Sequence, residues 1–402
     1  MTTYQSIEEG LPRNHPNGSG SDDDKIGLLS NVKRRRQFLN FFKIAIGVVC
    51  IEIENDFEWA DPNLIIAKTG AVASEEGGNA VDAAITTHIC VGTVNVFAAD
   101  FREVAPRAAH QDMFKKDHLK AKGSIARSTV DTIQSRGGII TMEDLAAYRP
   151  TIREPLIGYY QGRKIITSPE PGSGTILLFL LNVLEEYKFH ETGRTSLNAQ
   201  RMAEAFKYAI ARRTELGDPA FFKNITAHKE RINEIISKEY AARIRANISD
   251  THTYVPNHYD PEYATLEDHG TTHISVVDAD EMAVSMTATV FMDPNTGVLF
   301  NDQMDDFAIP IPPTIERFWP APHNFPAPGK KPMSSTSPTI IERPDGRFEM
   351  SVGASGGTRI MSAVTQTLLN IYEFNMNVLE AIDYPRLYHP LLPNEVNNNK
   401  LS

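Results

Sequence analysis

The sequence has little cysteine. Cys50 and Cys90 allow one bridge at most, which excludes a disulfide framework and a cysteine-based zinc site. It lacks a basic excess as well: the net charge is −11, whereas a nucleic-acid binder carries a basic face to neutralise phosphates. No repeat of short period occurs. No uninterrupted apolar run reaches the roughly 20 residues that cross a bilayer. The nearest approach, Phe38 to Ile53, is broken by Lys43 and Glu52 and follows the basic cluster Lys33 to Arg36. That order is the one of a signal anchor with a cytosolic N-terminus. An interfacial segment is the alternative.

What is present is ordinary for a globular protein. The 402 residues are 41% hydrophobic and 23% charged, enough for two or more ordinary domains or one large one. The first thirty residues are polar and rich in Gly, Pro and Asp, a composition that favours disorder. We therefore expect a disordered tail over 1–33 and a candidate anchor over 34–56. Asn224–Ile–Thr226 and Asn247–Ile–Ser249 are N-glycosylation sequons, as is Asn17–Gly–Ser19. A luminal body would expose the later two, while Asn17 would stay cytosolic.

Along the chain, "GGNAVDAAITTHICVG" reads as a helix capped by Asn79. "GSIARSTVDTIQSRGGIITMEDLAAY" reads as a helix stopped by Gly137–Gly138 and a second, short one with Thr141 and Asp144 spaced as a capping box. "LIGYYQGRKIITS" is strand-like and is broken by "PEPGSG". "GTILLFLLNVLEEY" predicts a helix buried on both sides, and another fits Leu197 to Arg213. Beyond Gly270 the texture changes. "THISVVDADEMAVSMTATV" alternates on either side of a turn at Asp278–Glu281, and "SPTIIERPDGRFEMSVG" forms a hairpin around Pro344–Asp345–Gly346. "GGTRIMSAVTQTLLNIYEF" then has a glycine-rich start and a helical pattern. Helices first and strands second predict an α+β fold or a layered sandwich.

A threonine at the start of a strand invites one mechanism in particular. If the bond between Gly270 and Thr271 breaks, Thr271 gains a free α-amino group beside its hydroxyl. Such an amine has an unperturbed pKa of about 7.7–8.0, so it can take the hydroxyl proton and make it a nucleophile. Gly270 offers no side chain to hinder attack on its carbonyl. Other stretches suit the same chemistry: "NDQMDDF" holds acceptors for an ammonium, "KKPMSSTSPTI" places Ser334 beside Ser335, and "DFREVAP" offers Arg102 as a carboxylate clamp. "GASGGTRI" puts Gly356 and Gly357 where backbone N–H groups can face an oxyanion. Singly, each also reads as an acidic turn, a serine-rich loop, a surface arginine or a helix cap.

As an ordered set, "GGNAVDAA", "DFREVAP", "GGIITMEDLAAY", "GDPAF", "TTHISVVD", "NDQMDDF", "KPMSSTSPTII" and "GASGGTRI" resemble the γ-glutamyltranspeptidase (glutathione hydrolase) family from about Leu64 to Pro390. The anchor-like segment suits its membrane-anchored eukaryotic branch. The resemblance implies a four-layer αββα sandwich of the N-terminal-nucleophile hydrolase type, cut by itself into a large-subunit region, 57–270, and a small-subunit region, 271–402. It makes Thr271 the autoprocessing residue and nucleophile, Thr289 its hydrogen-bond partner, and Gly356 and Gly357 the oxyanion hole. Arg102, Ser334 and Ser335 would grip the substrate α-carboxylate, while Gln303 and Asp306 would receive its α-amino group. The implied reaction passes a γ-glutamyl group from glutathione or another γ-glutamyl compound to water, an amino acid or a peptide. No metal and no organic cofactor are required. The body of the single-pass protein would be luminal, vacuolar or extracellular.

The sequence also departs from the family pattern. Segments are expected to be missing after "VASEEGGNAVDAA", after Phe97, and between "DMFKK" and "GSIARS". "TATVFMDPNTGVLFNDQ" is short, Phe291 stands where the family has an asparagine, and "LPNEVNNNKLS" stops before closing strands would follow. The sandwich would then be incomplete, with exposed sheet edges. Three readings stay open at this point: a working transferase/hydrolase, a non-catalytic or interaction protein, and the product of a disrupted or misassembled gene.

Overall fold

The computed structural model describes residues 124–149, 151–264, 271–277, 281–288, 291–292, 299–300, 303–312, 318–394 and 397–399. The candidate tail and anchor, the helix expected at Asn79, and Asn17 lie outside them. Among the described residues no helix is long and apolar enough to cross a membrane.

Helix α1, Ser124–Ser135, stops where the glycines predict. Gly137 has φ +86°, a left-handed value that costs glycine little. The N–H of Gly138 then reaches Ile133 O and that of Gly137 reaches Gln134 O, the paired bonds of a Schellman close. Helix α2, Met142–Ala147, opens with the expected capping box: Asp144 N donates to Thr141 Oγ1 at 3.2 Å, and Thr141 N to Asp144 Oδ2 at 2.8 Å.

The strand-like stretch that follows folds into two strands. β1, Leu156–Tyr160, and β2, Arg163–Thr167, pair antiparallel across Gln161 and Gly162, both at positive φ (47° and 77°). Those angles make a two-residue turn whose twist matches the strands it joins. Helix α3, Gly174–Glu185, is buried at every residue from Gly174 to Leu184, as its nearly all-apolar sequence requires. After the short α4, Phe189–Thr192, comes α5, Ser196–Arg213, capped by Thr195. The pattern reading passed over α6, Ile225–Ile235, and α7, Lys238–Asn247, although Asn224 and Ser237 cap them by accepting Ala227 N and Tyr240 N.

The second half supplies the expected hairpins. β3, Thr272–Val277, pairs with β4, Ala283–Ala288, and a two-residue pair that the sequence did not announce joins β5, Phe291–Met292, to β6, Leu299–Phe300. β7, Thr339–Glu342, pairs with β8, Phe348–Val352, around Gly346 at φ +82°. Helix α8, Arg359–Tyr372, and α9, Val378–Asp383, precede β9, Arg386–Tyr388, which pairs with β10, Asn397–Asn399.

Strands β1-β2-β7-β8 form one antiparallel sheet, so β2, before residue 270, is bonded to β7, after residue 271. The alternation along paired strands sets two faces. Ile165 and Ile341 point into the main core with α3, α5 and α8, where Leu177, Leu181, Phe206 and Leu368 are also buried. Burying each such side chain contributes about 1.5–3 kcal/mol. Ile166 and Ile340 face the other way and pack with Ala283 of β4 and Phe348. The β3–β4 hairpin therefore stacks on the sheet face opposite the helices, and polar bonds stitch it there. Ser285 Oγ accepts Thr339 N at 3.1 Å and donates to Val352 O at 3.2 Å.

Candidate active site

Thr271 stands one residue before β3 and is half-buried. His273, two residues on, packs its ring against Gly353, where a methyl group would lie 2.1 Å from His273 Cε1. That contact fixes the start of β3 beside the segment that leaves β8. Since β7 starts where β8 ends (Thr339 opposite Val352), three segments meet at this end of the stacked sheets. They are the one bearing Thr271, the one bearing Ser334 and Ser335, and the one bearing Gly356 and Gly357.

Ser334 and Ser335 are buried in the approach to β7, and the surrounding bonds define their position closely. Ser334 N donates to Pro171 O at 2.8 Å, while Ser173 Oγ donates to Ser334 O at 2.7 Å and Ser173 N to Thr336 O at 2.8 Å. The "PEPGSG" loop, read as a strand breaker, is thus the bed on which the two serines lie. The hydroxyls differ. Ser334 Oγ is engaged with Thr336, whereas Ser335 Oγ accepts from the buried Arg213 at 2.6 Å. A hydroxyl that accepts from a guanidinium keeps its own proton to donate, and the charge makes it a better donor.

Upstream, Asp218 of "GDPAF" accepts Lys331 N at 2.9 Å and pairs with Arg153 at 3.2 Å. Burial, followed by the nearby Arg153 charge, holds the Lys331 ammonium below the ordinary lysine range. The carbonyl of Glu170 accepts from Arg153 at 2.9 Å, and the buried Glu170 carboxylate meets His228 Nε2 at 2.8 Å.

Gln303 and Asp306 form a single helical turn, Gln303–Asp306, and both are half-buried. One residue ties this turn to the serine segment. Asn324, 0% exposed, donates from Nδ2 to Asp306 O at 2.8 Å and accepts Met333 N on Oδ1 at 2.9 Å, while its own carbonyl accepts Ala308 N at 3.0 Å. Gly356 and Gly357 turn the chain into α8 with φ of +110° and +59°.

Arg102, Thr289 and Gly270 lie outside the described residues. Asn224 and Asn247 are exposed, the first capping α6 and the second ending α7. Sequence reasoning assigned nothing to Asn324, Arg213, Ser173 or Asp218. Asp218 and Ser173 lay inside the quoted "GDPAF" and "PEPGSG", but neither phrase pointed to the bonds they make. Among the described residues no group of three or more His, Cys, Asp or Glu side chains could hold a metal ion.

The helix layer, the antiparallel sheet and the stacked hairpin make an α+β fold. It is shared with the cephalosporin acylase of Bacillus halodurans, at a TM-score of 0.53 and 21% identity over 67% of this chain and 47% of that one. Sequence narrows the class further. The γ-glutamyltranspeptidase family model matches residues 121–400, and the chain belongs to that family. It is 41% identical to glutathione hydrolase proenzyme 1 of Schizosaccharomyces pombe over 287 residues, 68% of this chain and 45% of that one. It is 37% identical to glutathione hydrolase 2 of Arabidopsis thaliana over 289 residues, 68% and 48% of the two chains. The chain thus spans about half the length of these curated relatives. Arg102 precedes the span that the family model matches.

Proposed function

We propose that the chain is a γ-glutamyltransferase and glutathione hydrolase that matures by cutting itself between Gly270 and Thr271. The observation that supports the reading is the packing of the His273 ring on Gly353, which sets the start of β3 beside the segment that leads to Gly356 and Gly357, in a member of this family. In the first step Thr271 Oγ attacks the Gly270 carbonyl carbon, the peptide C–N bond breaks, and the acyl group moves to oxygen. Water then hydrolyses that ester, leaving a carboxylate on Gly270 and a free amine on Thr271.

In turnover the amine takes the Thr271 hydroxyl proton as the oxygen attacks the γ-carbonyl of glutathione. Gly356 and Gly357 N–H groups stabilise the oxyanion, and Thr289 hydrogen-bonds the nucleophile. The amine passes the proton to the departing cysteinylglycine nitrogen. Water, an amino acid or a peptide then resolves the γ-glutamyl ester. The substrate α-carboxylate is held by Arg102, Ser334 and Ser335, and its α-amino group by Gln303 and Asp306.

On the same reading the fold is a four-layer αββα sandwich, with a large-subunit region over 57–270 and a small-subunit region over 271–402. The β2–β7 ladder would keep the two pieces together after cleavage. Residues 34–56 anchor the protein to a membrane, with 1–33 as a cytosolic tail, and Asn224 and Asn247 carry glycans on a luminal, vacuolar or extracellular body. The test is release of anilide from a γ-glutamyl anilide by the purified chain beside its Thr271→Ala variant. Release by the wild type alone supports the reading. Equal rates for the two, or none for either, overturn it in favour of a non-catalytic family member.

A further inference from the structure

We propose that Tyr388 is a positioning residue for the reaction: through Thr358 it holds the Gly356–Gly357 turn in the geometry that meets the oxyanion. The inference rests on the reading of that turn as the oxyanion hole. Thr358 follows the two glycines and occupies the N-cap position of α8, yet its hydroxyl makes no capping bond. It meets Tyr388 OH instead, at 2.6 Å, with Thr358 5% and Tyr388 7% exposed. A threonine at this position ordinarily spends its oxygen on a helix N–H. Here the helix gives up that bond and the turn gains a tether to another strand.

Tyr388 is a firm post for such a tether. Its neighbour Leu387 is bracketed by Gln366 of α8, which accepts Leu387 N at 2.8 Å and donates to Leu387 O at 2.8 Å. The Arg359 guanidinium lies over the Tyr388 ring, 5.2 Å from its centre. Strand β9 is therefore locked to the body of α8, and the Tyr388 hydroxyl reaches back to the helix start. The carbonyls of the two positive-φ glycines accept Arg359 N at 3.2 Å and Ile360 N at 2.9 Å, but neither glycine has a side chain, so Thr358 supplies the side-chain anchor nearest the turn.

Oxyanion donors act on charge that exists only as the transition state forms, and they must lie about 2.7–3.1 Å from it. Loosening the tether would therefore slow the chemical step and leave ground-state binding alone. A bond that served stability alone would lower the unfolding midpoint without dividing kcat from KM.

The experiment uses the full chain with Tyr388→Phe, Thr358→Val, the double variant and Thr358→Ser, assayed on a γ-glutamyl anilide. Amide exchange of the segment 353–360 is followed in parallel. For Tyr388→Phe we expect kcat to fall about tenfold with KM within about twofold of wild type, because one mispositioned donor costs less than the roughly 100-fold or more of a lost one. Thr358→Val should match it, the double variant should be no worse than either, and Thr358→Ser should restore most of the rate. An unchanged kcat in Tyr388→Phe, or losses that multiply in the double variant, would overturn the proposal. A wild type without activity rejects the functional reading separately. Exchange then decides the coupling: faster exchange confined to 353–360 in Tyr388→Phe upholds the tether, and an unchanged pattern refutes it.

Discussion

Replacing Asn324 with alanine removes both side-chain bonds that join the Gln303–Asp306 turn to the serine segment. Met333 is buried, so its N–H would be left without a partner, at a cost of about 1–3 kcal/mol. The Asp306 carbonyl sits on a half-buried turn, and losing its donor adds about 0.5–1.5 kcal/mol. The sum, about 1.5–4.5 kcal/mol, should appear in chemical denaturation as a lower midpoint at unchanged slope. Asn324→Asp keeps the acceptor for Met333 but buries a carboxylate against the Asp306 carbonyl oxygen, so at neutral pH it should cost at least as much as alanine. On the proposed function both variants also let the ammonium-binding turn drift from the carboxylate-binding serines. KM for a γ-glutamyl anilide should then rise more than kcat falls. Less than about 0.5 kcal/mol of destabilisation in Asn324→Ala, the scale of an indifferent surface substitution, would refute the reasoning.

Stability should depend on pH through His389. Burial, with a further push from Lys207, holds its imidazole down at about 4 against 6.5 for an ordinary histidine, and the neutral ring accepts Leu391 N on Nδ1. The unfolded chain takes up this proton near 6.5 and the folded chain only near 4, so the contribution is complete above about pH 6.5 and is lost as pH falls through that window. His389→Gln should flatten the slope of the denaturation midpoint there. Gly353→Ala would press a methyl group into the His273 ring, lowering stability by about 1–3 kcal/mol and slowing self-cleavage, both readable by denaturation and gel. Asn224→Gln should remove one glycan from protein made in a secretory host, seen as a mass step. It should also cost about 1 kcal/mol, because Asn224 Oδ1 accepts Ala227 N in the helix cap.

Local chemistry was legible where one residue type enforces one geometry. Gly137, with its left-handed φ, ends α1, Thr141 with Asp144 opens α2, and Gly346 turns β7 into β8. The apolar run 176–181 announced a helix buried all round. The β1–β2 turn escaped because Gln161 takes a positive φ without being Asn, Asp or Gly, so the run looked continuous. Helices α6 and α7 escaped because both are markedly polar, and few of their residues are buried.

At the site, the groups proposed to touch substrate rest on the resemblance, each within a quoted phrase. The residues that hold those groups could not be read that way. Asn324 acts on Asp306 and Met333 through a fold that brings distant segments together, and Arg213 reaches Ser335 from the end of α5. Neither pairing leaves a trace in local spacing. Tyr388 is a similar case, because only the structure sets it against Thr358.

The central claim is that Thr271 is placed for chemistry, and intact mass measurement of the purified full-length chain beside Thr271→Ala tests it most directly. The expected result is a wild type resolved into two pieces, one ending at Gly270 and one beginning at Thr271, with the variant whole. A wild-type chain that stays uncut under conditions where it is folded would contradict the claim, because no free threonine amine would then exist to drive the reaction.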